Sequence, residues 1–139
     1  MITISKSSSE EIKAFNQAEW IASDLAYYGQ STGWIKEGYI FKAEEDGKLI
    51  GSIEGNYEEG VLYIEDVIVL KEKRGLGVGK MLVENAQKYA KERGGHKMYL
   101  ITGKTWEVRK FYESMGFINT GEFKNHFRNV DFVIYEKSI

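Results

Sequence analysis

The sequence predicts a mixed α/β fold of the α+β kind, built on a mostly antiparallel sheet of about seven strands. Three observations carry this prediction. Short apolar segments, bounded by Gly and Asp, alternate or run without interruption as strands do. Two longer segments repeat their apolar residues at helical spacing. Between residues 63 and 102 the order is strand, helix, strand, a connection that gives one right-handed parallel pair.

Taken in order, Ile2-Thr3-Ile4 reads as a short first strand. Ser7-Ser8-Ser9-Glu10-Glu11 then supplies hydroxyl caps and early acidic residues for a helix. That helix continues or restarts as far as Tyr28, and 29–33 is a loop by composition. Trp20, Tyr27, Tyr28 and Trp34 fall close together here. They suit either core packing or the wall of a ligand pocket. Next come 38–45 and 48–57, joined by the tight-turn pair Asp46-Gly47 as a hairpin. Glu58-Glu59-Gly60 turns the chain into the central strand.

That strand, 63–70, is nearly all β-branched and aromatic residues apart from Glu65 and Asp66. Strands buried on both faces have this composition. A regular strand would point Glu65 and Asp66 to opposite faces. The next helix carries Val78, Met81, Leu82, Ala86, Tyr89 and Ala90 on one stripe and ends at Gly94-Gly95. A strand at 97–102 and a helix over 106–115 follow, the latter capped by Gly116. The segments 117–123 and 130–137 close the chain as an antiparallel pair around a loop that holds His126.

Composition narrows the function. The chain has 139 residues, one domain's worth, spanning 1–139. Its apolar content of 42% is that of a soluble globular protein. A formal charge of −2 with no basic tract disfavours nucleic acid as a partner. No apolar run approaches a membrane span and no signal peptide is apparent, so a cytoplasmic address is expected. The lack of cysteine removes disulfides, thiolate metal sites and a cysteine nucleophile. Two isolated histidines give no metal pattern, so no metal is expected.

The chemistry concentrates between the central strand and the following helix. Gly75, Gly77 and Gly79 let backbone approach a ligand closely. Behind them lie the unpaired N–H groups and positive dipole end of a helix. Lys71, Lys73, Arg74 and Lys80 surround that point. A phosphorylated ligand fits. A Walker loop does not, because Arg74 stands where its first glycine belongs and Met81 follows Lys80. A dinucleotide fingerprint fails as well, since the spacing is G-x-G-x-G and charged residues intervene after Leu70.

Arg74-Gly75-Leu76-Gly77-Val78-Gly79 resembles the acyl-coenzyme A loop of the GCN5-related N-acetyltransferase (GNAT) family, with Arg or Gln, two residues, Gly, one residue, and Gly or Ala. Phe111-Tyr112-Glu113-Ser114-Met115-Gly116-Phe117 is similar to the family's helix ending in F-Y-x-x-x-G-F. The order of elements also matches, so the resemblance covers nearly the whole chain. It implies a sheet splayed at the acyl-CoA site, with helices on both faces. It implies acetyl transfer from acetyl-CoA, as co-substrate, to an amine.

The resemblance assigns roles residue by residue. Arg74, Gly75, Leu76, Gly77, Val78, Gly79 and Lys80 would hold the pyrophosphate. Val67, Ile68 and Val69 would pair with the pantetheine arm, and a backbone N–H among them would face the thioester oxygen. Tyr112 would protonate the leaving thiolate. The family's usual asparagine, seven residues before that tyrosine, is Thr105 here, so a cofactor contact falls to Thr105. Glu65 is the first candidate to take the amine's proton, with Glu54 and His126 as further candidates near the acceptor. Trp20, Tyr27, Tyr28 and Trp34 tilt the expected acceptor toward a small-molecule amine. A peptide N-terminus or lysine, or a non-catalytic acyl-CoA-binding domain, are the alternatives. A homodimer through the last strands or the aromatic N-terminal region is left open.

Overall fold

The computed structural model describes residues 1–31 and 33–139. Thr32, in the loop read at 29–33, lies outside the described residues. The chain divides into two compact units, 1–34 and 35–139.

The first unit is a single helix with its flanks. α1 runs Ser9–Tyr28 without a break. Its N-terminus is doubly capped: the Ser8 side chain accepts the Glu11 N–H, while Ser7 Oγ donates to Glu11 Oε2 at 2.9 Å. Gly29, at φ 74°, ends it and donates its N–H to the Leu25 carbonyl. Ile2-Thr3-Ile4 is not a strand; residues 1–8 have no regular structure. A three-residue apolar run without a ladder partner cannot sustain a strand alone.

The second unit is a sheet with two helices. Its elements are β1 (Lys36–Glu45), β2 (Lys48–Glu58), β3 (Val61–Val69), α2 (Val78–Glu92), β4 (Lys97–Gly103), α3 (Arg109–Ser114), β5 (Ile118–Phe123) and β6 (Phe132–Ser138). Among the described residues these six strands form one sheet, ordered β1-β2-β3-β4-β6-β5. Only β3 and β4 run parallel. The sheet thus has six strands rather than about seven, the missing one being Ile2–Ile4.

α2 buries Leu82, Val83, Ala86 and Ala90 in one core with Tyr39, Ile53, Tyr57, Leu62 and Ile64 of β1–β3. Val83 belongs to this stripe and Met81 does not; Met81 is exposed. α3 is shorter than the sequence suggests. Trp106, Glu107 and Val108 form single turns bonded three residues apart, and the α-helix starts only at Arg109. The cause is Trp106, whose ring lies over Gly103 and meets Phe132 edge-on at 5.3 Å. That packing holds the first turn off the helix axis.

Two features of β3 shape the cleft beside it. Its parallel pairing with β4 covers only Val61–Tyr63 against Lys97–Tyr99. β3 then continues to Val69 along β2, while β4 continues to Gly103 along β6. The strands splay, and the β3 edge from Ile64 onward faces no strand. The second feature is a bulge. Glu54 pairs with Asp66 but Gly55 pairs with Ile64, so Glu65 is an extra residue in the ladder.

Candidate active site

The splay opens a groove of about 800 Å³. Val67, Ile68 and Val69 of β3 form one wall. The glycine loop and the start of α2 form one end, with Arg74, Gly75, Gly77, Val78, Gly79 and Lys80. α3 and the turn before it form the other wall, with Val108, Phe111, Tyr112, Ser114 and Met115. Backbone N–H groups at a helix N-terminus, cations and a free strand edge therefore share one cleft.

The three glycines are required for two different reasons. Gly75 and Gly77 have φ of 76° and 87°, the left-handed region, and Gly77 is the N-cap of α2. Gly79 is helical, but a Cβ there would sit 3.3 Å from the Phe111 ring. Its absence lets α3 approach the helix start. Arg74 Nε donates to the Val69 carbonyl at 3.0 Å, tying the loop to the end of β3. Lys73 is held by Glu45 at 2.5 Å and Lys80 is 3.9 Å from Glu84. Leu76 is exposed on the loop and lines a different hollow, with Ile40 and Met81.

Tyr112 is buried and lines the groove. Burial pushes its pKa up to about 12, and the nearby Asp66 carboxylate adds to the rise. The phenol therefore keeps its proton at neutral pH. The bulge changes the expected arrangement of the acidic pair. Glu65 and Asp66 are both exposed. Asp66 is the one within electrostatic reach of Tyr112, while Glu65 acts on Tyr39. Glu54, directly across from Asp66, is exposed as well. Three carboxylates thus ring the bulge.

With this geometry the chain matches the model of the acetyltransferase (GNAT) family over residues 8–117. The chain belongs to the GNAT family. Its relatives include the 5-NmdU N-acetyltransferase of Pseudomonas phage PaMx11, 30% identical over 119 residues, which are 82% of this chain and 76% of that protein. Among solved structures, an acetyltransferase from Bacillus cereus superposes with a TM-score of 0.77 at 19% identity, over 99% of this chain and 98% of that one. A Bacillus anthracis protein assigned as a streptothricin acetyltransferase, solved with acetyl coenzyme A, gives a TM-score of 0.69 at 28% identity, over 73% and 62% of the two chains. The protein is thus an acetyltransferase that works with acetyl-CoA.

Other candidate residues of this GNAT acetyltransferase fall elsewhere. Within the first unit, Trp20, Tyr27, Tyr28 and Trp34 line a single cavity of about 580 Å³ together with Ser23 and Asp24. Tyr28 and Trp34 meet at 5.9 Å. Sequence reading does not single out Asp24, since one carboxylate on a helix carries no signal until its aromatic neighbours are placed. Thr105 is exposed in the β4–α3 turn and is not among the residues that line the groove. His126 stacks on Phe123 at 4.8 Å and contacts Phe127 and Phe132. It is part of an aromatic cluster on the β5–β6 loop rather than a free loop side chain. Among the described residues, no group of three or more His, Cys, Asp or Glu could hold a metal ion, and no helix is long and apolar enough to cross a membrane.

Val108, Phe111 and Met115 are groove residues that sequence reading places only within the helix at 106–115. The signal of the last two is present in F-Y-x-x-x-G-F, but only the splay between β3 and β4 turns that helix face toward a cleft.

Proposed function

We propose that the whole chain acts as one cytoplasmic domain that moves the acetyl group of acetyl-CoA to the primary amine of a small molecule, by direct attack in a ternary complex. The observation that carries this reading is the groove, with the glycine loop at one end, Tyr112 on its wall and a free β3 edge between.

The loop N–H groups, the α2 dipole and Arg74 suit a pyrophosphate. The open edge at Val67–Val69 suits an extended pantetheine arm, which would add to β3 as a further strand. The amine nitrogen attacks the thioester carbon, and a β3 N–H receives the developing oxyanion. The amine's proton passes to a carboxylate at the bulge, Glu65 first, directly or through water. The carbon–sulfur bond breaks, and the sulfur takes the Tyr112 proton, which solvent then restores. An amine of lysine type is mostly protonated at neutral pH, so it first sheds one proton to solvent, and the proton that Glu65 takes is the second, released from the nitrogen as the carbon–nitrogen bond forms.

The aromatic cavity of the first unit suits an amine-bearing acceptor. Ring faces attract cations, and Asp24 adds a negative charge. The test is a panel of polyamines, aminosugars, amino acids, aminoglycosides and short peptides, each incubated with acetyl-CoA and the protein and analysed for N-acetylated product by mass spectrometry. Acetylation of a small amine, weakened in acceptor affinity by Asp24→Asn, supports the reading. Acetylation of peptides alone replaces it with a peptide acetyltransferase. Tight acetyl-CoA binding with no product from any amine favours a non-catalytic binding domain.

A further inference from the structure

A residue two strands away reaches across to the bulge in β3. Tyr39, on β1, is 3% exposed and pairs across the ladder with Gly55 of β2. Its side chain passes over Gly55, and its hydroxyl donates to the Tyr63 carbonyl at 2.9 Å. A Cβ on Gly55 would overlap that carbonyl and lie 2.8 Å from the Tyr39 hydroxyl and 3.0 Å from the Glu65 nitrogen. Gly55 has no positive φ to explain it. It is glycine because the hydroxyl, the carbonyl and the bulged backbone converge on the space a side chain would take.

The position of this lock matters. Tyr63 is the last residue of β3 that pairs with β4, and Glu65 is the extra residue of the bulge. The lock therefore sits where the sheet begins to splay and where the carboxylates are aimed. Bulges are soft points of a ladder, because the extra residue makes no regular bond. Burial and its neighbours Tyr112 and Glu65 raise the Tyr39 pKa, so the hydroxyl stays protonated as a donor.

We propose that Tyr39 is a positioning residue for acetyl transfer: its hydroxyl, seated in the space left by Gly55, fixes the β3 bulge that sets Glu65, Asp66 and the open edge at Val67–Val69. The inference rests on the transferase reading of the groove. It assigns no contact between Tyr39 and the substrates; Tyr39 acts through the backbone of Tyr63.

Tyr39→Phe removes one hydroxyl and leaves the ring in place. Tyr57→Phe is the matched control. Tyr57 is also buried in this core, and its hydroxyl donates to a backbone carbonyl, that of Arg93 at 2.9 Å, at the end of α2. Both variants lose one buried hydrogen bond, so both lower the unfolding midpoint modestly. They part in function. Tyr39→Phe is expected to lower kcat about 10- to 100-fold, as small misplacements of catalytic groups do, with acetyl-CoA affinity within about threefold of wild type. Tyr57→Phe is expected to keep kcat within about twofold. Amide hydrogen exchange at 64–67 is expected to quicken at least about tenfold in Tyr39→Phe and to stay unchanged in Tyr57→Phe. An active wild type whose Tyr39→Phe variant keeps both its kcat and its exchange pattern overturns this inference alone. Equal losses of kcat in the two variants also overturn it, since they mark general destabilisation. A wild type without turnover on any amine overturns the transferase reading and this inference with it, whatever the exchange data show about the bulge.

Discussion

Tyr112 on α3 and Asp66 on β3 lie within electrostatic reach of one another across the mouth of the splay. Burial first, and the Asp66 charge second, push the Tyr112 pKa up to about 12. A phenol so placed is a reservoir for one proton at neutral pH. Replacing it should isolate the proton-donating step. Tyr112→Phe is expected to lower kcat by about 10²–10⁴-fold while leaving the dissociation constant for acetyl-CoA within a few-fold, measured by steady-state kinetics and calorimetry. A kcat equal to wild type would remove Tyr112 from the reaction.

The same shift ties stability to alkaline pH. Unfolded Tyr112 ionises near 10.0 and folded Tyr112 near 12. Below pH 10 both states hold the proton and the full contribution is present. Between these values the unfolded state loses its proton and the folded state does not, so stability falls as pH rises. The fall is on the order of 3 kcal/mol. Tyr39, also raised by burial, adds a loss of the same sign. Urea midpoints should drop between about pH 9 and about pH 11 for the wild type, and drop less for Tyr112→Phe.

Arg74 and Gly79 separate charge from space at the glycine loop. Arg74→Ala removes the bond to the Val69 carbonyl and one cation beside the loop. Acetyl-CoA should bind about tenfold more weakly, and the affinity should depend less on salt. Gly79→Val places methyls where a Cβ already meets the Phe111 ring at 3.3 Å. It should weaken acetyl-CoA by at least as much, with no change in salt dependence.

Gly103 supports the turn into α3. A Cβ there would overlap the Trp106 ring, whose place against Phe132 would be lost. Gly103→Ala should cost about 1–3 kcal/mol of stability by urea unfolding. A neutral result would show that Trp106 can move without cost.

Most of the second unit was legible in the chain. Asp46-Gly47 gave the β1–β2 turn, the β-branched run gave β3, and Gly94-Gly95 gave the end of α2, because each rests on local backbone preference. The glycine loop was legible as a turn opening onto a helix N-terminus for the same reason. What local preference could not show was the bulge. Glu65 and Asp66 follow a two-residue period in sequence, yet the ladder carries an extra residue at Glu65, beside the point where Tyr39 and Gly55, distant in the chain, meet the Tyr63 carbonyl. The approach of Asp66 to Tyr112 depends on that, and so was hidden from the sequence. Ile2–Ile4 misled in the opposite sense: its strand preference is real, but a strand is a property of a pair of segments. Val83 was hidden by Met81 because the two, two residues apart, point about 200° away from each other around the helix, so assigning one to the buried stripe excludes the other.

Direct delivery of acetyl from acetyl-CoA to an amine, in the groove beside β3, is the step on which the proposed function rests. The most direct measurement is the time course of free thiol release after mixing the protein, at substrate-like concentration, with acetyl-CoA, before and after adding an accepted amine. The expected result is no release until the amine arrives, then release in step with N-acetylated product. A burst of thiol equal to the protein concentration before any amine is added would contradict the claim, because it would place the acetyl group on the protein first.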